Sequence, residues 1–357
     1  MISFRTLKGF KIKPQQKKQT VFFTFMFCMS FVQANDELNF EQHKIPNAEC
    51  GDGSPYYTYI REGDPKKVIV HFQGGGACWD ALTCFGPKPL TRLKDSGFPN
   101  AAAVFNSLNS AGHPFTDYTY IFMPYCTGDI FSGTHVKTYA PTKKAKHYGR
   151  LNTEKALQHI EAEFGNPISD AEKLVVYGDS AGALGAMLNL DLIDALSSNV
   201  SDRTLIPDSP GLHYNKIIWD RFTKEYLADL AQSLSRNGMK FDKNTGLVSK
   251  QSNEFCEHFS KWKVGYIQST KDIVMSVVFG TRTQNDHRNQ VLGFSGLYFQ
   301  TLPKSDACSA LIPDNAKHVH SLNKDTWSFA VGDGTRVSEF VNSLVENRLA
   351  DEFPNHR

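Results

Sequence analysis

The sequence predicts an α/β protein, a three-layer αβα sandwich with a mostly parallel central sheet. Three observations predict it. Apolar, β-branched runs recur along the chain, and they are nearly continuous rather than alternating, as strands buried on both faces are. Helical patterns stand between these runs, and strands alternating with helices read as parallel crossover units. The segment "LVVYGDSAGALGA" (174–186) passes from such a run through a glycine-flanked serine into an alanine- and leucine-rich stretch.

The elements follow in order. "KKVIVHFQ" (Lys66 to Gln73) is an apolar strand, followed by the glycine run Gly74 to Gly76. "YTYIFMP" (Tyr118 to Pro124) is a second strand, and "YCTGDIFSG" after it is a loop. "NTEKALQHIEAEFG" (Asn152 to Gly165) is an amphipathic helix with a polar start and a glycine stop. "KLVVYG" (173–178) is a third strand and "AGALGAMLNLDLIDAL" (181–196) the helix after it. "VGYIQST" (Val264 to Thr270) is a fourth strand. "AKHVH" (316–320) precedes a loop, and "GTRVSEFVNSLVENRL" (334–349) is a closing helix. Repeats and low-complexity linkers are missing from the sequence, so residues 35–357 read as one catalytic domain.

The chain has 357 residues, 40% hydrophobic and 21% charged, with a net charge of +2. Six basic residues, Arg5, Lys8, Lys11, Lys13, Lys17 and Lys18, fall in the first 18 positions, leaving the remainder near neutral or slightly acidic. A nucleic-acid footprint needs a clustered basic face, which this is not. The basic start leads into the apolar "VFFTFMFCMSFV" (21–32) and the small-residue "VQA" ending at Ala34. That order is a signal peptide over 1–34. The apolar run falls short of the roughly 20 residues of a membrane span. An uncleaved anchor is the alternative, and a lipoprotein reading of Cys28 is disfavoured by bulky Phe27 before it. The expectation is a secreted or periplasmic protein with no stable membrane insertion once the signal is removed.

Removal of Cys28 leaves six cysteines, an even number suited to an oxidising compartment. Cys78 and Cys84 are near enough in sequence to close a small loop. Cys256 with Cys308 and Cys50 with Cys126 are the next pairs expected, with buried free thiols as the alternative.

"GDSAG" (178–182) is G-x-S-x-G between a strand and a helix. A serine on so sharp a turn requires small residues two positions away, which Gly178 and Gly182 supply. Ser180 is therefore the candidate nucleophile, and the N–H of Ala181 points to a developing oxyanion. The alternative is a purely structural turn. The glycine run after the first strand brings further backbone donors, Gly75 and Gly76. A phosphate loop is disfavoured because no Lys-Ser/Thr follows the glycines. The acid and base of such a site follow the serine in the chain. Asp272 in "YIQSTKDIVM" stands just past a strand, with Asp208 in "IPDSPG" as rival and a helix N-cap as its other reading. Among the late histidines, His356 lies in the tail, and His318 and His320 would share one face of a strand. The polar "SLNKD" after His320 puts His320 at the strand boundary and makes it the expected base. An H-x-H metal pair would lack a third ligand, and no cofactor or metal is expected.

Together, "HFQGGGACWD", "YCTGDIFSG", "VYGDSAGALGA", "QSTKDIV" and the late histidine segment before "GDGTRVSEFV" resemble the pectin acetylesterase/Notum-like family of serine hydrolases. The resemblance spans residues 68 to about 342. It implies an α/β-hydrolase fold and removal of acyl groups from hydroxyls, with Ser180 as nucleophile, Asp272 as acid and His320 as base. The family's glycine block often has Trp just before the Cys; here Ala77 stands there and Trp79 follows Cys78. The expected function is a serine carboxylesterase that releases a short acyl group, such as acetyl, from a small-molecule or polysaccharide ester. A lipase- or thioesterase-like enzyme and a silent binding protein on the same scaffold are the alternatives.

Overall fold

Strands that are apolar on both faces need helices on both sides to shelter them, and the sheet is built that way. The structure is a computed structural model that describes residues 40–95, 113–301, 308–320 and 334–346. The expected signal peptide lies outside the described residues. The strands are β1 (Glu41–Glu49), β2 (Pro55–Arg61), β3 (Asp64–Phe72), β4 (Tyr118–Met123), β5 (His135–Ala140), β6 (Lys143–His147), β7 (Lys173–Asp179), β8 (Asp202–Asp208), β9 (Lys263–Ile267) and β10 (Cys308–Leu311). The helices used below are α1 (Ala81–Phe85), α2 (Gly149–Glu163), α3 (Ala181–Leu188), α4 (Leu190–Leu196), α5 (Lys216–Trp219), α6 (Lys224–Arg236), α7 (Ser252–His258), α8 (Gln284–Val291), α9 (Leu297–Thr301) and α10 (Val337–Val345).

Among the described residues, eight strands form one sheet in the order β1-β2-β4-β3-β7-β8-β9-β10. The ladder from β4 through β3, β7, β8 and β9 to β10 is parallel, and β1 and β2 add an antiparallel edge. Strands β5 and β6 form a separate antiparallel hairpin. Successive side chains alternate between the two faces. Val68, Val70, Phe72, Leu174 and Val176 enter the larger core, with Leu184 and Met187 of α3, Ile193 of α4 and Leu230 of α6. Ile69, Val175, Tyr177 and Ile206 enter the other core, where α10 buries Val337, Phe340, Val341 and Leu344. Each such aliphatic side chain contributes roughly 1.5–3 kcal/mol when fully buried. The α/β reading, the mostly parallel sheet and the flanking helices hold.

The differences from expectation are local. Helix α2 begins at Gly149 rather than Asn152, because the Asn152 side chain is used elsewhere. Its amide accepts from the Glu49 N–H at 3.2 Å and donates to the Glu49 carbonyl at 2.8 Å, clamping the edge strand. The long helix expected after the serine breaks at Asn189, whose side chain donates to the Gly185 and Phe131 carbonyls. Strand β8, unexpected from a segment that starts on charged residues and contains Pro207, runs beside β7 at the centre of the sheet. Among the described residues, the last strand, β10, ends at Leu311, well before the late histidines.

Three disulfides join the six cysteines among the described residues, paired as expected: Cys50–Cys126, Cys78–Cys84 and Cys256–Cys308. Among the described residues, no helix is long and apolar enough to cross a membrane. The carboxyl ends of the parallel strands gather at one edge of the sheet, where α/β proteins place their ligands.

Candidate active site

Ser180 sits between β7 and α3 with φ at 53°, a left-handed backbone that a non-glycine residue seldom adopts. Its flanking glycines are needed for contact reasons. A Cβ on Gly178 would stand 2.1 Å from the Gly182 carbonyl oxygen, and one on Gly182 would stand 2.0 Å from the Phe72 carbonyl oxygen. A Cβ on Gly185 would meet the Phe131 ring at 2.4 Å. The turn is pinned by the Ser180 N–H, which donates to the Asp208 carbonyl at 2.8 Å.

A histidine does face this serine, but it is His318. Its Nε2 lies 2.9 Å from Ser180 Oγ, and its Nδ1 lies 2.8 Å from Asp272 Oδ2. A carboxylate only accepts, so Nδ1–H donates to Asp272, leaving Nε2 to accept from the serine hydroxyl. Asp272 is fully buried. Its other oxygen, Oδ1, accepts from the N–H groups of Val274 and Met275 at 2.9 and 3.0 Å. The helix-cap reading of Asp272 and its contact with a histidine thus both hold, one on each oxygen.

His320, the histidine expected to face Ser180, is buried elsewhere. Its Nε2 pairs with Ser269 Oγ at 2.7 Å, and its backbone N–H donates to Asp208 Oδ2 at 2.8 Å. Burial lowers its pKa below the usual histidine value. The shared-face argument fails because residues 312–320 are not a strand, and Val319 between the histidines is left-handed with φ at 62°. That one residue reverses the alternation. The Val319 N–H donates to Ser209 Oγ at 3.0 Å, so both Val319 and His320 are tied to the end of β8. Asp208, the rival acid, serves as this tether. The turn signal Pro313-Asp314-Asn315 was the available clue that strand geometry had ended.

Gly76 and Ala181 line one pocket with Ser180, together with Ala77. Gly75 lines the neighbouring polar cleft with Gln73, Gly74 and Tyr125. Among the described residues, none accepts from the N–H groups of Gly75, Gly76 or Ala181. Such backbone donors near a buried serine are available to an oxyanion. The rest of the pocket is apolar: Ile130, Leu184, Trp219, Phe222, Tyr226, Met275 and Phe279 contribute. Phe222 lines it, packed between Trp219 and Tyr226 with ring centroids at 5.3 and 4.5 Å. Burial raises the Tyr214 and Tyr226 pKa values well above the usual tyrosine range, so both stay protonated. The one group of metal-ligand type among the described residues is Cys78, Cys84 and His147. Its two sulfurs are joined in a disulfide, which removes the thiolates a metal would need.

The pectinacetylesterase family model matches residues 32–330. The chain belongs to this family. As a pectinacetylesterase-family member it resembles proteins of two kinds. It is 30% identical to pectin acetylesterase 11 of Arabidopsis thaliana over 153 residues, 40% of this chain and 37% of that protein. It is 23% identical to the palmitoleoyl-protein carboxylesterase NOTUM of Mus musculus over 177 residues, 48% of this chain and 34% of that protein. The chain spans about a third of the length of the first curated relatives it matches. A crystal structure of the Wnt deacylase Notum from Drosophila superposes with a TM-score of 0.56 at 18% identity, covering 87% of this chain and 94% of that one. That likeness establishes the α/β-hydrolase fold for this pectinacetylesterase-family chain.

Proposed function

We propose that this chain is an exported serine carboxylesterase that removes a short acyl group from a hydroxyl of a polysaccharide or small ester. The observation that carries the proposal is the unbroken hydrogen-bonded chain from Ser180 through His318 to Asp272. Ser180 Oγ attacks the ester carbonyl while His318 Nε2 takes its proton. His318 then gives that proton to the leaving alcohol, and Asp272 holds the ring in the required tautomer. The N–H groups of Ala181 and of the Gly75–Gly76 run stabilise the oxyanion, with Gly76 the better placed of the two glycines. Loss of one such donor typically costs on the order of 3 kcal/mol. Water, activated by His318, releases the acyl-enzyme.

The acyl pocket supports a short chain. Bulky rings wall it, those of Trp219, Phe222, Tyr226 and Phe279. An acetyl group suits a pocket so walled, and the acyl length is what the ester series below measures. A polysaccharide ester agrees with the name of the family. The three disulfides support an oxidising compartment. The test is a fluorophosphonate probe with a series of 4-nitrophenyl esters. Labelling at Ser180 and turnover that falls from acetate to octanoate are expected. An unlabelled, folded protein with no ester turnover would end the proposal.

A further inference from the structure

Asp179, the variable residue of the G-x-S-x-G turn, uses both carboxylate oxygens beneath the site. Oδ2 accepts from the Gly74 N–H at 3.0 Å, and Oδ1 pairs with His71 Nε2 at 2.9 Å. His71, fully buried on β3, pairs through Nδ1 with the Tyr120 hydroxyl of β4. A polar chain thus crosses β7, β3 and β4 on an otherwise apolar face, with His71 packed edge-on against Phe122 and Tyr177. Burial raises the Tyr120 pKa well above the usual range, so its hydroxyl keeps the proton it donates to Nδ1. Nε2–H is then the donor to Asp179.

Three polar residues in a sheet core need a reason, since an apolar set of similar volume avoids the desolvation cost. Their end point supplies one. Gly74 opens the glycine run, and the loop is seated hard on the nucleophile turn. A Cβ on Gly74 would lie 2.3 Å from Asp179 Oδ2 and 3.0 Å from Ser180 Cβ. The bond from Gly74 to Asp179 is therefore the link that fixes the glycine run to the residue next to the nucleophile.

We propose that Asp179, held by His71 and Tyr120, is a positioning residue that sets the distance between Ser180 and the oxyanion donors of the glycine run. This rests on the esterase reading above. Asp179 touches no reacting atom, so its effect passes through the N–H groups that follow Gly74. Those groups gain their strongest hydrogen bonds only in the tetrahedral state, so the effect belongs in kcat rather than KM.

The test compares Asp179→Asn with wild type on 4-nitrophenyl acetate. The asparagine keeps shape and an acceptor for His71, but turns an NH₂ toward the Gly74 N–H. Expected are a fall in kcat of about tenfold or more, KM within about twofold, an unchanged pH optimum, and an equal loss of affinity for a small boronic acid that mimics the tetrahedral adduct. Should Asp179→Asn fail to fold, Tyr120→Phe decides, with a smaller loss in kcat and boronate affinity at constant KM. Folded variants with wild-type kcat would overturn the proposal, as would a lower kcat with unchanged boronate affinity. A wild-type protein that neither turns over esters nor binds the boronate would instead overturn the esterase reading, and this inference with it.

Discussion

Asp208 bonds to Ser180 from one side and to the histidine segment from the other. Its carbonyl oxygen accepts from the Ser180 N–H at 2.8 Å, while its carboxylate accepts from the His320 N–H at 2.8 Å and from Ser209 Oγ at 3.0 Å. One residue at the end of β8 therefore holds the nucleophile turn and the histidine loop in fixed relation. Asp208→Asn should lower kcat about tenfold while fluorophosphonate labelling of Ser180 persists, because the triad remains but its alignment loosens. Labelling and kcat both at wild-type values would show that the loop needs no tether.

The two histidines should behave differently. His318→Ala is expected to lower kcat by several orders of magnitude, as removal of a triad member does. His320→Ala should cost far less in kcat and more in Tm, since His320 fills a buried site against Ser269. Kinetics on both variants, with circular dichroism for folding, measure this. A dead His320→Ala beside an active His318→Ala would reverse the assignment.

Asp272→Asn should leave the fold intact and reduce kcat by about four orders of magnitude. The amide oxygen can still cap Val274 and Met275, but its NH₂ favours the wrong histidine tautomer. Activity within tenfold of wild type would exclude Asp272 as the orienting acid.

What was legible in the sequence was whatever depends on near neighbours. The serine turn announces itself because Gly178 and Gly182 are two residues from Ser180. Asp272 was visible because it follows a strand and starts a helical turn, and both are local facts. His318 was not, because its direction depends on bonds that the Val319 and His320 N–H groups donate to Ser209 and Asp208, 110 and 112 positions away. Strand β8 was obscured by Pro207, a residue that ordinarily argues against a central strand. The polar chain from Asp179 to Tyr120 was hidden for the same reason as His318: three strands must first be laid side by side.

The acyl wall yields a further prediction. Phe222→Ala removes the ring between Trp219 and Tyr226, which should shift the preferred substrate from acetate toward butyrate or hexanoate. Ratios of kcat/KM across the ester series measure it. An unchanged acetate preference would mean that something other than this wall limits chain length.

Acid should destabilise the protein. His113, His147, His213, His287 and His320 all have pKa values lowered first by burial. Each stays neutral in the folded state and binds a proton near pH 6.5 when unfolded. Stability from these groups is therefore complete above about pH 6.5 and falls as pH drops toward the folded values, by up to about 1.4 kcal/mol per pH unit per group. Tm should decline steadily as pH falls from about 6.5 to about 4.5. A flat Tm over that range would contradict burial of these rings in the neutral form.

Val319 has a consequence for laboratory evolution. A β-branched residue at φ 62° costs of order 1–3 kcal/mol. Selection for heat resistance alone can recover that cost by two routes. Asparagine or glycine at 319 tolerates the left-handed backbone and keeps His318 on the serine, so such clones should be hardier and still active. Changes that free the segment from Ser209 or Asp208 let it relax to an extended path, which carries His318 away. Survivors of a heat screen should therefore fall into two classes, and an activity assay after the heat step separates them.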